Sequence, residues 1–167
     1  MDDNSFPVTE LAQRPEWLVL GVGNPAVGDD GAGIRVIELL SSMELPPHVT
    51  VEQAGLPGWE LPTWLENRSN VILVDAIQMG EKPGTWKRFR FDDIQVQMEN
   101  GAFSLHQPDL ACGIALTQAL GFVPENLLIY GIEPEVLDFG ASLSPVVLNK
   151  LPEMIANILQ DVEKIKV

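Results

Sequence analysis

Apolar residues run almost unbroken over residues 17–22 (WLVLGV), stop at Gly23-Asn24-Pro25, and return after Gly33 at helical spacing as far as Leu40. A short continuous apolar run, a turn and a 3.6-residue period predict a buried strand, a tight connection and a helix. The same reading along the chain predicts a strand over 49–53 and a short helix over 59–67 interrupted at Pro62. A third strand follows over 70–76 (NVILVDA), whose unbroken apolar run points to a central position buried on both faces. Residues 85–91 (TWKRFRF) alternate imperfectly and read as an edge strand with charged outer positions. Residues 92–103 carry no clear pattern and are assigned to loop. A helix is expected over 109–120, ended by Gly121, then a strand over 126–132 and a loop over 133–143. Ser144-Pro145 opens a last helix whose stripe is Val147, Leu151, Met154, Ile155, Ile158, Val162 and Ile165, with a bend at Pro152.

Strands that alternate with helices predict an α/β fold: a single-domain three-layer αβα sandwich around a mostly parallel, five-stranded twisted sheet. The domain is expected to span residues 17–167, after a polar, acidic arm over 1–16 that carries no recognisable chemistry. At 167 residues the chain is long enough to bury a core without staples. No apolar run approaches a membrane span and the first residues lack a basic-then-apolar leader, so no membrane insertion is expected. The lone cysteine, Cys112, forms no internal disulfide, which suits a reducing cytoplasm. A formal net charge of −14 argues against a nucleic-acid partner, which requires basic surface.

The first strand and turn resemble a dinucleotide-binding Gly-x-Gly, with Glu52 as a possible ribose-binding acid. The spacing is wrong for the full fingerprint, however. Asp29 and Asp30 also put two negative charges where a pyrophosphate would need bare helix-terminal amides. One aspartate at a helix start is an ordinary cap; the second is left for other work. In open α/β sheets ligands gather beyond the carboxyl ends of the strands. Asp30 after the first strand, Asp75 at the end of the third and His106 just before the helix over 109–120 all fall there. Singly they read as a cap, a strand-end residue and a packing histidine. Brought together they would form a ligand set for a borderline divalent metal such as nickel or zinc, an alternative that stands beside those three separate readings. Asn24 and Ser104 are placed to support this set, with Asp29 beside it, and Glu133 and Glu135 to line the cleft. Cys112 reads as a buried structural cysteine, His48 as solvated, and Leu56, Trp59 and Trp64 as core packing rather than an apolar wall for a partner.

Four segments in order, GVGNPAVGDDGAGIRV, VILVDA, SLHQPDL and GIEPEVLDFGASLSP, resemble the hydrogenase maturation proteases, over essentially the whole domain. The resemblance implies an endopeptidase that removes a C-terminal peptide from the nickel-loaded precursor of a [NiFe] hydrogenase large subunit. It carries the family's metal-binding acids onto Asp30 and Asp75 and its histidine onto His106. The first acid, often glutamate in relatives, is the shorter aspartate here. The family relation further implies nickel supplied by the substrate, a site that other divalent metals can occupy, and catalysis by extension from metal recognition. A cytoplasmic monomer whose partner is the hydrogenase precursor is expected. The alternatives are a non-catalytic nickel-sensing assembly module and, further off, a nucleotide-binding α/β domain.

Overall fold

A computed structural model describes residues 16–93 and 108–164. Residues 1–15 of the expected arm lie outside them, as do Ser104, His106 and Ile165. Five strands form one sheet: β1 (Trp17–Val22), β2 (Val49–Gly55), β3 (Asn70–Ala76), β4 (Trp86–Arg90) and β5 (Asn126–Ile132). Their order is β2-β1-β3-β5-β4, with every neighbouring pair parallel except β4, which runs antiparallel along β5. The chain therefore steps from β1 to one side for β2 and to the other for β3. A crevice opens at that reversal, between the carboxyl ends of β1 and β3.

The helices are α1 (Ala32–Ser41), α2 (Leu61–Leu65), α3 (Pro108–Ala119), α4 (Pro145–Leu148) and α5 (Leu151–Lys164). Side chains alternate across a strand, so each central strand feeds two cores. Trp17, Val19, Ile72, Val74, Leu128 and Tyr130 face α1, α4 and α5, while Leu18, Leu20, Val71, Leu73, Leu127 and Ile129 face α2 and α3. The result is the expected three-layer α/β sandwich. β1 and β3 are buried along their whole length, as their unbroken apolar runs require.

Several local expectations need correction. Pro62 does not interrupt a helix: it lies in the first turn of α2, where its missing N–H has no intrahelical acceptor to lose. The last helix is broken rather than bent, ending at Leu148 and restarting at Leu151. Pro152 has no N–H to offer the Leu148 carbonyl, so the two segments cannot be continuous. Residues 91–93 form a helical turn, where strand was expected at 91 and loop from 92, and the rest of the expected loop lies outside the described residues. Gly121 ends α3 in a left-handed conformation, with Phe122 N–H bonded to the Thr117 carbonyl and Gly121 N–H to that of Gln118. Cys112 is exposed, not buried. His48 is half-buried, its Nε2 3.2 Å from the Val162 carbonyl oxygen. Leu56 and Trp59 are exposed, and of that trio only Trp64 packs against the core.

Candidate active site

After β1 the backbone passes through Gly23 and a loop into a single 3-10 turn, Gly28–Gly31, that leads into α1. Gly33 lets α1 lie close to the sheet, because a Cβ there would overlap the carbonyl oxygens of Val22 and Val74. This close approach brings the Asp29-Asp30 turn over the ends of β1 and β3. The two aspartates are both buried, yet they do different things. Neither holds an N-cap position, which falls on Val27 for the 3-10 turn and on Gly31 for α1.

Asp29 faces the segment that follows β5. Its carboxylate accepts the N–H groups of Glu135 (2.8 Å), Val136 (2.9 Å) and Ser144 (2.6 Å), and the Ser144 hydroxyl (2.8 Å). Its own N–H donates to the Val136 carbonyl at 2.7 Å. A buried carboxylate with four donors is fully satisfied. It is therefore a structural clasp, whereas Asp30 is the acid whose charge acts on Asp75.

Asp30 Oδ2 accepts the Asn24 N–H at 2.8 Å, which folds the loop back over the turn. Asn24 contributes to this bond through its backbone; its side-chain oxygen accepts the Ala26 N–H at 2.9 Å instead. Asp75 stands at the end of β3, paired across the ladder with Gly131. Burial, first, and the negative charge of Asp30, second, push the Asp75 carboxyl up to about 8, against a lowering by the Ala76 N–H. Gly23 packs against the Asp30 backbone and beside the Asp75 carboxylate. A Cβ there would overlap the Asp30 carbonyl oxygen and come 3.7 Å from Asp75 Oδ1, at a backbone φ of 127° that suits only glycine. The crevice thus holds two buried carboxylates, close enough to repel each other.

Glu133 and Glu135 take different places from each other. Glu133 is buried, and its Oε2 accepts the N–H groups of Met79 (2.6 Å) and Glu81 (3.2 Å), so it fastens the segment after β3. Glu135 has an exposed side chain and meets the turn only through its N–H on Asp29. The roles of Ser144 and Glu133 as fasteners carry no local sequence signal, since their partners are 115 and 52–54 residues away. Among the described residues no three metal-ligating side chains come together; the third predicted ligand, His106, is outside them.

A family model described as hydrogenase maturation protease matches residues 34–161. The chain belongs to the hydrogenase maturation protease family. Relatives agree with this. The Hydrogenase 2 maturation protease of Escherichia coli is 34% identical over 132 residues, covering 78% of this chain and 80% of that one. The hydrogenase expression/formation protein HupD of Rhodobacter capsulatus is 35% identical over 153 residues, covering 90% and 73%. Among solved structures, the hydrogenase maturating endopeptidase HybD of E. coli superposes with a TM-score of 0.78 at 30% identity, over 89% of this chain and 93% of that one. This maturation protease is an endopeptidase, and the C-terminal processing of a hydrogenase large subunit is its family's role.

Proposed function

We propose that Asp30 and Asp75, with His106, recognise nickel already installed in the large-subunit precursor, and that the scissile bond lies beside them. The observation that supports this reading is the pairing of Asp30 and Asp75 at the strand reversal. Two buried carboxylates with mutual repulsion gain most from a divalent cation, and a cation brought by the substrate would arrive where that gain is largest. Carboxylate oxygens and an imidazole suit nickel, and also zinc, which is expected to compete for the place.

With about 8 as its folded value, the Asp75 carboxyl holds its proton at neutral pH in the free protease. Arrival of a cation favours the charged form and expels that proton, leaving a carboxylate able to act as general base. Peptide hydrolysis adds the elements of water across the C–N bond. The carboxylate takes a proton from water as its oxygen attacks the carbonyl carbon, and the proton returns to the leaving amine. The substrate's nickel supplies Lewis-acid polarisation near that carbonyl. Gly23 and the Asn24 N–H hold Asp30 in place through these steps. We place the protein in the cytoplasm as a monomer. The single cysteine agrees with the compartment, and no helix among the described residues is long and apolar enough to cross a membrane.

The test is intact-mass analysis of the cognate large-subunit precursor, nickel-loaded and nickel-free, after incubation with the protease. Loss of a short C-terminal peptide from the loaded form alone is the expected result. Cleavage of both forms would discard nickel as the recognition element. Binding without cleavage of either would favour a nickel-sensing assembly module.

A further inference from the structure

Phe139 is 85% exposed, the most exposed large apolar side chain among the described residues. It sits in the segment after β5, and that segment is fastened on both sides of it. The Gly140 N–H donates to the Ala26 carbonyl at 2.7 Å, and the Gly28 N–H to the Ala141 carbonyl at 3.2 Å. Upstream, Asp29 holds Glu135 and Val136; downstream, it holds Ser144. Between these anchors the Ala141 N–H closes a turn onto the Asp138 carbonyl at 3.1 Å, with Gly140 at φ 81° in its third position. That is the turn class that demands glycine there, and it puts Phe139 at the outer corner. An aromatic ring on a loose loop can fold inward; here the backbone holds it out.

The anchors also say where it is held. Ala26, Gly28 and Asp29 belong to the same loop and turn as Asp30. The turn that carries Phe139 is thus bonded to the loop that leads into Asp30, which makes it a neighbour of the proposed cleavage site. The flanking side chains Glu135 and Asp138 are exposed acids, in a protein of net charge −14. We infer that residues 135–144 are a preformed docking arm of the active site, on which Phe139 takes an apolar side chain of the hydrogenase precursor while Glu135 and Asp138 meet basic ones. A rigid aromatic anchor loses little freedom on binding, which is what makes such residues effective contacts. The inference rests on the proposed cleavage of the precursor and names the surface that would select it.

The experiment compares Phe139→Ser with wild type and with Leu120→Ser. Leu120 is also exposed, at 51%, but follows α3 at the end of the sheet where the strands begin. Cleavage kinetics on the precursor are measured together with its binding by titration calorimetry and with thermal melting. Phe139→Ser is expected to raise KM by about tenfold, more than it lowers kcat, with melting unchanged, the size of effect typical of an anchor residue. Leu120→Ser is expected to match wild type. A KM for Phe139→Ser within about twofold of wild type overturns the inference. If wild type binds the precursor but does not cut it, the cleavage reading fails alone, and the binding constants of the two proteins still decide the arm. Absence of binding by wild type overturns both. Sedimentation of a wild-type dimer that Phe139→Ser dissociates would also overturn it, by making a second copy the occupant.

Discussion

The Asp29 carboxylate holds Ser144 twice, accepting its N–H at 2.6 Å and its hydroxyl at 2.8 Å across 115 residues of chain. This pair ties the turn after β1 to the start of α4, and so ties the neighbourhood of Asp30 to the segment after β5. The Ser144 oxygen also receives the Val147 N–H at 3.4 Å, capping α4. Asp29→Asn keeps the shape but loses the charge and turns an amide N–H₂ toward donors. A loss of about 3 kcal/mol is expected by urea unfolding, and for Ser144→Ala about 1–2 kcal/mol.

Stability should fall with pH in a window set by Asp75. Its ordinary value is 3.8 and its folded value about 8. Between the two, the folded chain holds a proton that the unfolded chain has released, so raising pH through this range disfavours the fold, by at most about 1.4 kcal/mol per pH unit for one proton. The contribution is complete below the lower value and gone above the upper one. Asp75→Asn removes the dependence. Its melting temperature, measured against wild type, should gain progressively from pH 5 to pH 8.

Asp30→Asn preserves an acceptor for the Asn24 N–H and deletes the charge that helps to raise Asp75. The variant should stay folded while the Asp75 carboxyl, followed by NMR titration, moves down from its wild-type value. Precursor cleavage should drop by about 100-fold or more, as for loss of a group acting on the reacting atoms.

Gly23→Ala tests the close approach of the β1 loop to the Asp30 backbone. A methyl group there meets the Asp30 carbonyl oxygen at a φ of 127°. The backbone must shift, with an expected cost above about 2 kcal/mol by denaturant unfolding and loss of cleavage.

Away from the crevice, Tyr130 donates to Asp161 Oδ2 at 2.6 Å and stacks on Trp86 at 5.9 Å between ring centres. Burial and Asp161 both raise the phenol further, so it stays neutral and remains a donor. Tyr130→Phe should cost about 1–2 kcal/mol in stability without changing cleavage. Arg88, also on Asp161 but largely exposed, should cost less than about 1 kcal/mol when changed to alanine.

β1, β3 and β5 are legible in the linear pattern because they are short, continuously apolar and bounded by turn residues, and local chemistry suffices to mark them. The placing of Asp75 at the end of β3 and of Asp30 after β1 follows from the same reading, since the strand ends themselves are readable. The doubled aspartate points to one cap and one carboxylate for other work, whereas neither residue holds an N-cap position in the structure, and the partners that Asp29 meets lie far away in sequence. That Asp29 is a clasp, that Glu133 fastens Met79 and Glu81, and that Phe139 stands outward at a turn corner depend on contacts between distant segments. The exposure of Cys112, Leu56 and Trp59 depends equally on which faces the layers happen to cover, and periodicity describes a face without saying what covers it. Only the fold brings the segments after β1 and β5 together, because the strand order puts both beside β3, and a hydrogen bond across 115 residues leaves no trace in the neighbours of either partner.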